Sequence, residues 1–123
     1  MGGRGGSSGM SKGYGSYRIN ASSMPKLSGS EKQVSWANQI RESAINTVNK
    51  NIERALNEEK RSGVNGLFRN KIKAFEEIGR QLEGGFKGKT SASWIIENRG
   101  QFSSSRILRI ANEMAQRYRQ EER

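Results

Sequence analysis

Residues 30–56 read SEKQVSWANQIRESAINTVNKNIERAL. Ser30 with Gln33 three places on is a capping-box pattern. The hydroxyl can accept from the Gln33 backbone amide, and the Gln33 side chain can return the bond. Behind this start Val34, Ala37, Ile40, Ala44, Val48, Ile52 and Ala55 recur at intervals of three or four, with Ile45 and Leu56 beside them. That is the helical period, and it predicts a helix over roughly 31–61, about 45 Å long. The asparagines gathered between Asn46 and Asn51 mark the place where it could break instead. Ser62-Gly63 ends it, and Asn65-Gly66 is a turn signal.

Downstream, Phe68, Ile72, Phe75, Ile78 and Leu82 keep the same period and predict a second helix over 67–83, stopped by Gly84-Gly85. A glycine- and lysine-rich loop from Gly84 to Thr90 comes next. Thr90 or Ser91 then caps a short helix carrying Trp94, Ile95 and Ile96, which Gly100 ends. A last helix starts near Ser103, with its stripe on Ile107, Ile110, Ala111, Met114 and Tyr118. Trp36 and Trp94 are expected to anchor the core. No segment alternates strictly, and only Tyr14 to Ile19 admits a strand. The expected fold is all-α: a small domain of three or four helices over 30–123.

Upstream of Ser30 the composition changes. Residues 1–29 hold eight of the fifteen glycines, many serines, the single proline Pro25 and no acid, with a charge of +4 from Arg4, Lys12, Arg18 and Lys26. Such a stretch has too little apolar surface to offset its ordering entropy, so residues 1–29 are expected to be a disordered, basic, Gly/Ser-rich tail.

The whole chain has 123 residues and a formal charge of +10, and each of its twelve acids is Glu. With no Asp, His or Cys there is no Ser-His-Asp or Cys-His nucleophile, no zinc site of the usual kind and no disulfide. The paired glutamates Glu58-Glu59, Glu76-Glu77 and Glu121-Glu122 point about 100° apart on a helix, which makes poor shared-proton dyads. The expectation is a non-enzyme without metal or cofactor. No apolar run approaches the roughly 18 residues of a membrane span, and the start lacks the apolar core of a secretory signal. A soluble cytoplasmic protein with no membrane partner is expected.

The charge favours a polyanionic partner. Three stretches bear on it. Gly84 to Thr90 looks like a phosphate-binding loop of nucleotide hydrolases. It is one residue short of that motif, follows a helix, and lacks an Asp to hold magnesium. In a looser role, Lys87, Lys89 and the glycine amides ahead of Ser91 could hold a backbone phosphate. Lys12-Gly13-Tyr14-Gly15 opens like an RNA-binding strand signature, which Ser16 and Tyr17 then break. Basic, glycine-spaced tails with aromatics do bind nucleic acid without sequence preference, which brings in Arg4, Lys12 and Arg18. In the body, Lys87, Lys89, Arg99, Arg106 and Arg109 form the densest acid-poor basic stretch, interrupted only by Glu97. These eight side chains are the candidate nucleic-acid contacts.

Gly29-Ser30-Glu31-Lys32-Gln33, then Trp36-Ala37 and Ile40-Arg41, resembles the opening of small domains in phage and other mobile-element proteins of Gram-positive bacteria. Their second hallmark, Ala-x-x-Trp-Ile-Asp-Asn-Arg, is similar to Ala92-Ser93-Trp94-Ile95-Ile96-Glu97-Asn98-Arg99. Here the Trp falls one place early, Ile95 takes its position, and Glu97 replaces Asp. The leader Gly2-Gly3-Arg4-Gly5-Gly6-Ser7-Ser8-Gly9 also looks like leaders of phage-encoded proteins. The resemblance implies a phage-type origin, a bacterial host cell and a helical domain. It implies no activity and carries over no functional residue. Two functions are therefore expected: an accessory protein that binds DNA or RNA through the tail and patch, or an anti-CRISPR-like inhibitor that docks on a host nucleic-acid-processing protein.

Overall fold

The computed structural model of the chain describes residues 14–122. Among them are four α-helices: α1 (Glu31–Ser62), α2 (Arg69–Gly88), α3 (Ala92–Glu97) and α4 (Ser104–Glu121). Two 3-10 turns, Ala21–Ser23 and Arg99–Phe102, complete the regular structure. The all-α expectation holds.

α1 starts at the capping box read from the sequence. Ser30 Oγ accepts from the Gln33 amide at 3.2 Å, and Gln33 Oε1 accepts from the Ser30 amide at 3.1 Å. The helix does not break at its asparagines. Asn51 donates back to the Thr47 carbonyl at 2.7 Å, and Asn49 points sideways to another segment. It ends at Gly63, whose φ of 73° is the left-handed cap that glycine adopts without a Cβ penalty.

α2 corrects an expectation. It runs through Gly84-Gly85 to Gly88 instead of stopping at 83. The cause sits one residue further on. Phe86 is 1% exposed and its ring lies 5.2 Å from Phe102. Burying a Phe is worth about 1.5–3 kcal/mol, of the same order as the roughly 1 kcal/mol lost at each of Gly84, Gly85 and Gly88, so the burial offsets much of the glycine cost. Lys87 also reaches Glu83 at 3.3 Å, one turn earlier. Ser91 caps α3 and Ser103 caps α4, each hydroxyl accepting the amide three residues on at 3.3 Å. α3 stops at Glu97, ahead of Gly100, and the 3-10 turn carries the chain to Phe102.

α1 packs on α2 and α3, and α4 packs on α2 and α1. Val48, Ile52, Ile72, Phe75, Ile95 and Ile107 lie fully buried between them. Trp94 contributes from the edge, 6.1 Å from Phe102. Trp36 does not anchor the core as expected: it is 47% exposed. Its place on α1 lies beyond the apolar stripe, whose inner position is taken by Ala37, at 0%.

Residues 14–29, expected to be disordered, are a strap fastened to the helices. Residues 1–13 of that expected tail lie outside the described residues. Tyr14 Oη donates to the Glu59 carboxylate at 2.9 Å. The amides of Gly15 and Tyr17 both donate to Glu76 Oε2, at 2.7 and 3.1 Å. Asn49 brackets Ile19, accepting from its amide and donating to its carbonyl, both at 3.0 Å. Arg41 donates to the Pro25 carbonyl at 2.9 Å. Ser28 closes the strap against the start of α3, its amide donating to the Thr90 carbonyl and its carbonyl accepting from Ala92. That Ser28–Ser91 bridge is the only β pairing among the described residues, so Tyr14–Ile19 is no strand.

The strap's apolar anchor is Ile19, 3% exposed, with Tyr17 beside it over Gly79. A Cβ on Gly79 would meet the Tyr17 ring at 2.8 Å and Val48 Cγ1 at 3.2 Å. The notch therefore requires glycine. The ordered domain begins no later than Tyr14, sixteen residues before the boundary expected at Ser30. Partners for the strap's backbone come from the body, which the composition of the strap alone does not reveal.

Candidate nucleic-acid interface

The eight basic residues expected to contact nucleic acid are dispersed by the fold. Arg4 and Lys12 lie outside the described residues. Arg18 is half-buried, and its guanidinium donates to the Gly15 and Tyr17 carbonyls at 2.8 and 2.7 Å. It braces the strap's turn and is not a free cation. Lys87 is exposed and paired to Glu83. The glycines meant to cradle a phosphate are inside α2, and the Lys89 amide is bonded to the Gly85 carbonyl at 2.8 Å, so no loop of open amides exists there. Arg106 lines an apolar groove between α2 and α4, and Arg109 is exposed on the outer side of α4.

Lys89 and Arg99 behave differently. Each lies on an indole: Lys89 Nζ is 5.2 Å from the Trp94 ring centre, and the Arg99 guanidinium is 5.3 Å from that of Trp36. Such cation–π pairs hold a charged head near the surface without neutralising it. Arg99 also donates to the Ile96 carbonyl at 2.8 Å, which ties it to the end of α3. Among the described residues neither cation forms an ion pair.

From Trp36 a second feature runs along α1. Gln39, Ser43, Asn46, Lys50 and Arg54 follow it at steps of three or four, on the side of α1 that meets the start of α4. With Thr47, Asn51, Ser104 and Leu108 they line a groove of about 520 Å³, which Glu42 also borders. Thr47 Oγ1 and Ser104 Oγ, 2.7 Å apart, join its two walls. This stripe was not among the sequence-based candidates, because its two cations, Lys50 and Arg54, are spread along one helix face among uncharged residues. The signal was present as a polar row beside the apolar one, with Glu42 at its margin, repeating at the same helical interval.

The other charged positions serve the fold. Glu76 is 4% exposed and holds the strap. Arg80 reaches Glu77 at 3.8 Å and lies over Tyr17 at 5.0 Å. Burial, and then the bond to Glu83, raise the Tyr17 phenol well above its ordinary range. The same bond, with help from Lys87, lowers the Glu83 carboxyl. Among the described residues no three His, Cys, Asp or Glu converge to hold a metal ion, and no helix is long and apolar enough to cross a membrane.

No protein-family model matches this chain, and neither a curated protein nor a solved structure is significantly similar to it.

Proposed function

We propose that this chain is a non-catalytic, nucleic-acid-binding accessory protein of phage type, working in the cytoplasm of a bacterial host. The observation that carries the reading is the indole-backed cation Arg99 on the exposed Trp36, with Lys89 on the half-buried Trp94 as a second. An unneutralised cation beside an exposed aromatic is the combination that tracks a phosphate backbone while offering a base a surface to stack on. Exposed Arg106 and Arg109 add positive field, as does the formal charge of +10. Arg4 and Lys12 would extend the contact from the leader, whereas Arg18 is committed to the strap.

A second reading, an inhibitor that docks on a host nucleic-acid-processing protein, is favoured by one observation. The groove between α2 and α4 is apolar, about 280 Å³, and lined by Ile78, Leu82, Trp94, Phe102 and Ile110. It suits a protein side chain better than a phosphate.

One comparison separates the two. Labelled single-stranded DNA, duplex DNA and RNA are titrated at low and moderate salt. Binding is expected to fall steeply with salt, as phosphate contacts release counterions. The double variant Lys89→Glu with Arg99→Glu is expected to lose at least about tenfold, since each reversal both removes a contact and adds a repulsion. A chain that binds no nucleic acid at low salt, yet retains a protein from nuclease-treated host lysate, follows the second reading.

A further inference from the structure

We infer that the groove between α1 and α4 is a binding track for a single strand of nucleic acid, with Trp36 as the base-stacking platform at its head. The inference rests on the nucleic-acid reading above and names its substrate form and its site.

Three observations carry it. First, the Trp36 indole is 47% exposed with a guanidinium on it, so an aromatic surface is open and next to a cation. In a duplex the base faces are covered by their neighbours, and only an unpaired base can stack on such a ring. Second, the stripe that continues from Trp36 carries hydrogen-bonding amides and hydroxyls at Gln39, Ser43 and Asn46 and ends in Lys50 and Arg54. Among the described residues neither the Gln39 nor the Asn46 side chain has a hydrogen-bond partner, and neither Lys50 nor Arg54 has an ion pair. Both donors and acceptors therefore face an incoming strand, with positive charge at each end from Arg99 and Arg54. Third, the dimensions fit a strand. From Trp36 to Arg54 the helix rises about 27 Å, room for up to about eight nucleotides at the stacked rise of about 3.4 Å. The groove lies between two neighbouring helices, which Thr47 and Ser104 bridge.

Glu42 borders the groove and disfavours phosphate on that side. It places the backbone toward the α4 wall, where Ser104 lies at the start of the helix.

The test uses the full chain for affinities, and a Trp94→Phe variant only to assign the fluorescence signal to Trp36. A twelve-nucleotide oligothymidylate, the matching oligouridylate and a twelve-base-pair duplex are titrated at low salt. Both single strands are expected to quench Trp36 and to bind at least about tenfold more tightly than the duplex. The DNA and RNA arms show whether the 2′-hydroxyl is read. Trp36→Ala, followed by fluorescence anisotropy, is expected to weaken single-strand binding by about 5- to 150-fold, the range seen for losing one stacked base, and to weaken duplex binding by much less. Lys50→Glu with Arg54→Glu should weaken single-strand binding even with Trp36 in place. Trp36 is exposed, and circular dichroism checks that each variant keeps its helices. Duplex bound as tightly as single strand, or single-strand affinity indifferent to Trp36→Ala, overturns the track while leaving phosphate binding by the chain intact. Failure of all three nucleic acids to bind at low salt overturns the functional reading and the track with it.

Discussion

The two flanks of α1 carry polar side chains at similar spacing and use them in opposite ways. Toward the strap, Asn49 spends both ends of its amide on the Ile19 backbone, and Arg41 is held by the Pro25 carbonyl and by Asn38 at 3.0 Å. Toward α4, Gln39, Asn46, Lys50 and Arg54 are turned to a groove and bonded to nothing among the described residues. A polar group beside a core stripe becomes structural when another segment must end its backbone hydrogen bonds there. It is left for a ligand when no such segment arrives. The comparison separates fastening from function along a single helix.

The largest effect that would break this contrast lies at Glu76. It is the shared acceptor for two strap amides, so Glu76→Leu strands both donors in a buried setting. A loss of about 2–4 kcal/mol is expected, because hydrogen bonds to charged groups are the strong ones and unpaired buried donors keep their desolvation cost. Asn46→Ala on the open flank should change stability by less than about 0.5 kcal/mol. Urea unfolding of both variants measures the difference. Equal losses would mean that the groove side chains are structural after all.

A second contrast lies between glycines of one helix. Gly79 is the notch under Tyr17, whereas a Cβ on Gly84 or Gly85 would meet nothing within 4 Å. Gly84→Ala and Gly85→Ala should each stabilise by about 0.5–1 kcal/mol, since helical glycine is costly and the space is open. Gly79→Ala gains the same propensity but drives a methyl into an aromatic ring and a core valine. Overpacking of that kind costs about 1–3 kcal/mol, so a net loss of about 1–2 kcal/mol is expected, with the strap opening to protease near Tyr17. The opposite signs, read from thermal unfolding, sharpen the assignment of the strap as a packed element.

These particulars show what could be read from the chain alone. The capping box, the stripes of all four helices and the serine caps are local, and each is legible within a window of a few turns. The failures share a cause. Gly84-Gly85 reads as a stop until Phe86 is known to reach Phe102. The strap reads as disordered until Glu59, Glu76 and Asn49 are known to meet its backbone, and these contacts span 30 to 61 residues of sequence. Trp36 reads as core until Ala37 is seen to hold the inner position. Of the basic residues, Arg99 and Lys89 remain candidates, but their indole partners come from tertiary contact. The α1 groove was visible only as a polar row, whose openness depends on what α4 leaves uncovered.

The smallest effect probes the strap by titration. Tyr17 donates to Glu83, and the bond shifts the two groups in opposite directions: the phenol rises above its ordinary 10.0, chiefly through burial, and the carboxyl falls below its ordinary 4.5, chiefly through this bond. A raised phenol adds stability that is complete below pH 10.0 and is lost as pH climbs through the folded value. A lowered carboxyl adds stability that is complete above pH 4.5 and is lost as pH falls through the folded value. The pair therefore supports the fold across a plateau between those limits and weakens it beyond both. Tyr17→Phe keeps the ring over Gly79 and removes the bond. It should cost about 1 kcal/mol or less on the plateau, because the pair is partly solvated, and should blunt the decline at each end. The alkaline blunting will be partial. Tyr14 is raised by its own burial and Glu59, and Tyr118 by burial and the charge of Glu77, so both retain their share of that limb. Urea midpoints at pH 3, 7 and 11 decide the matter. A wild-type profile retained by Tyr17→Phe at both ends would show that the Tyr17–Glu83 bond adds nothing to the hold on the strap.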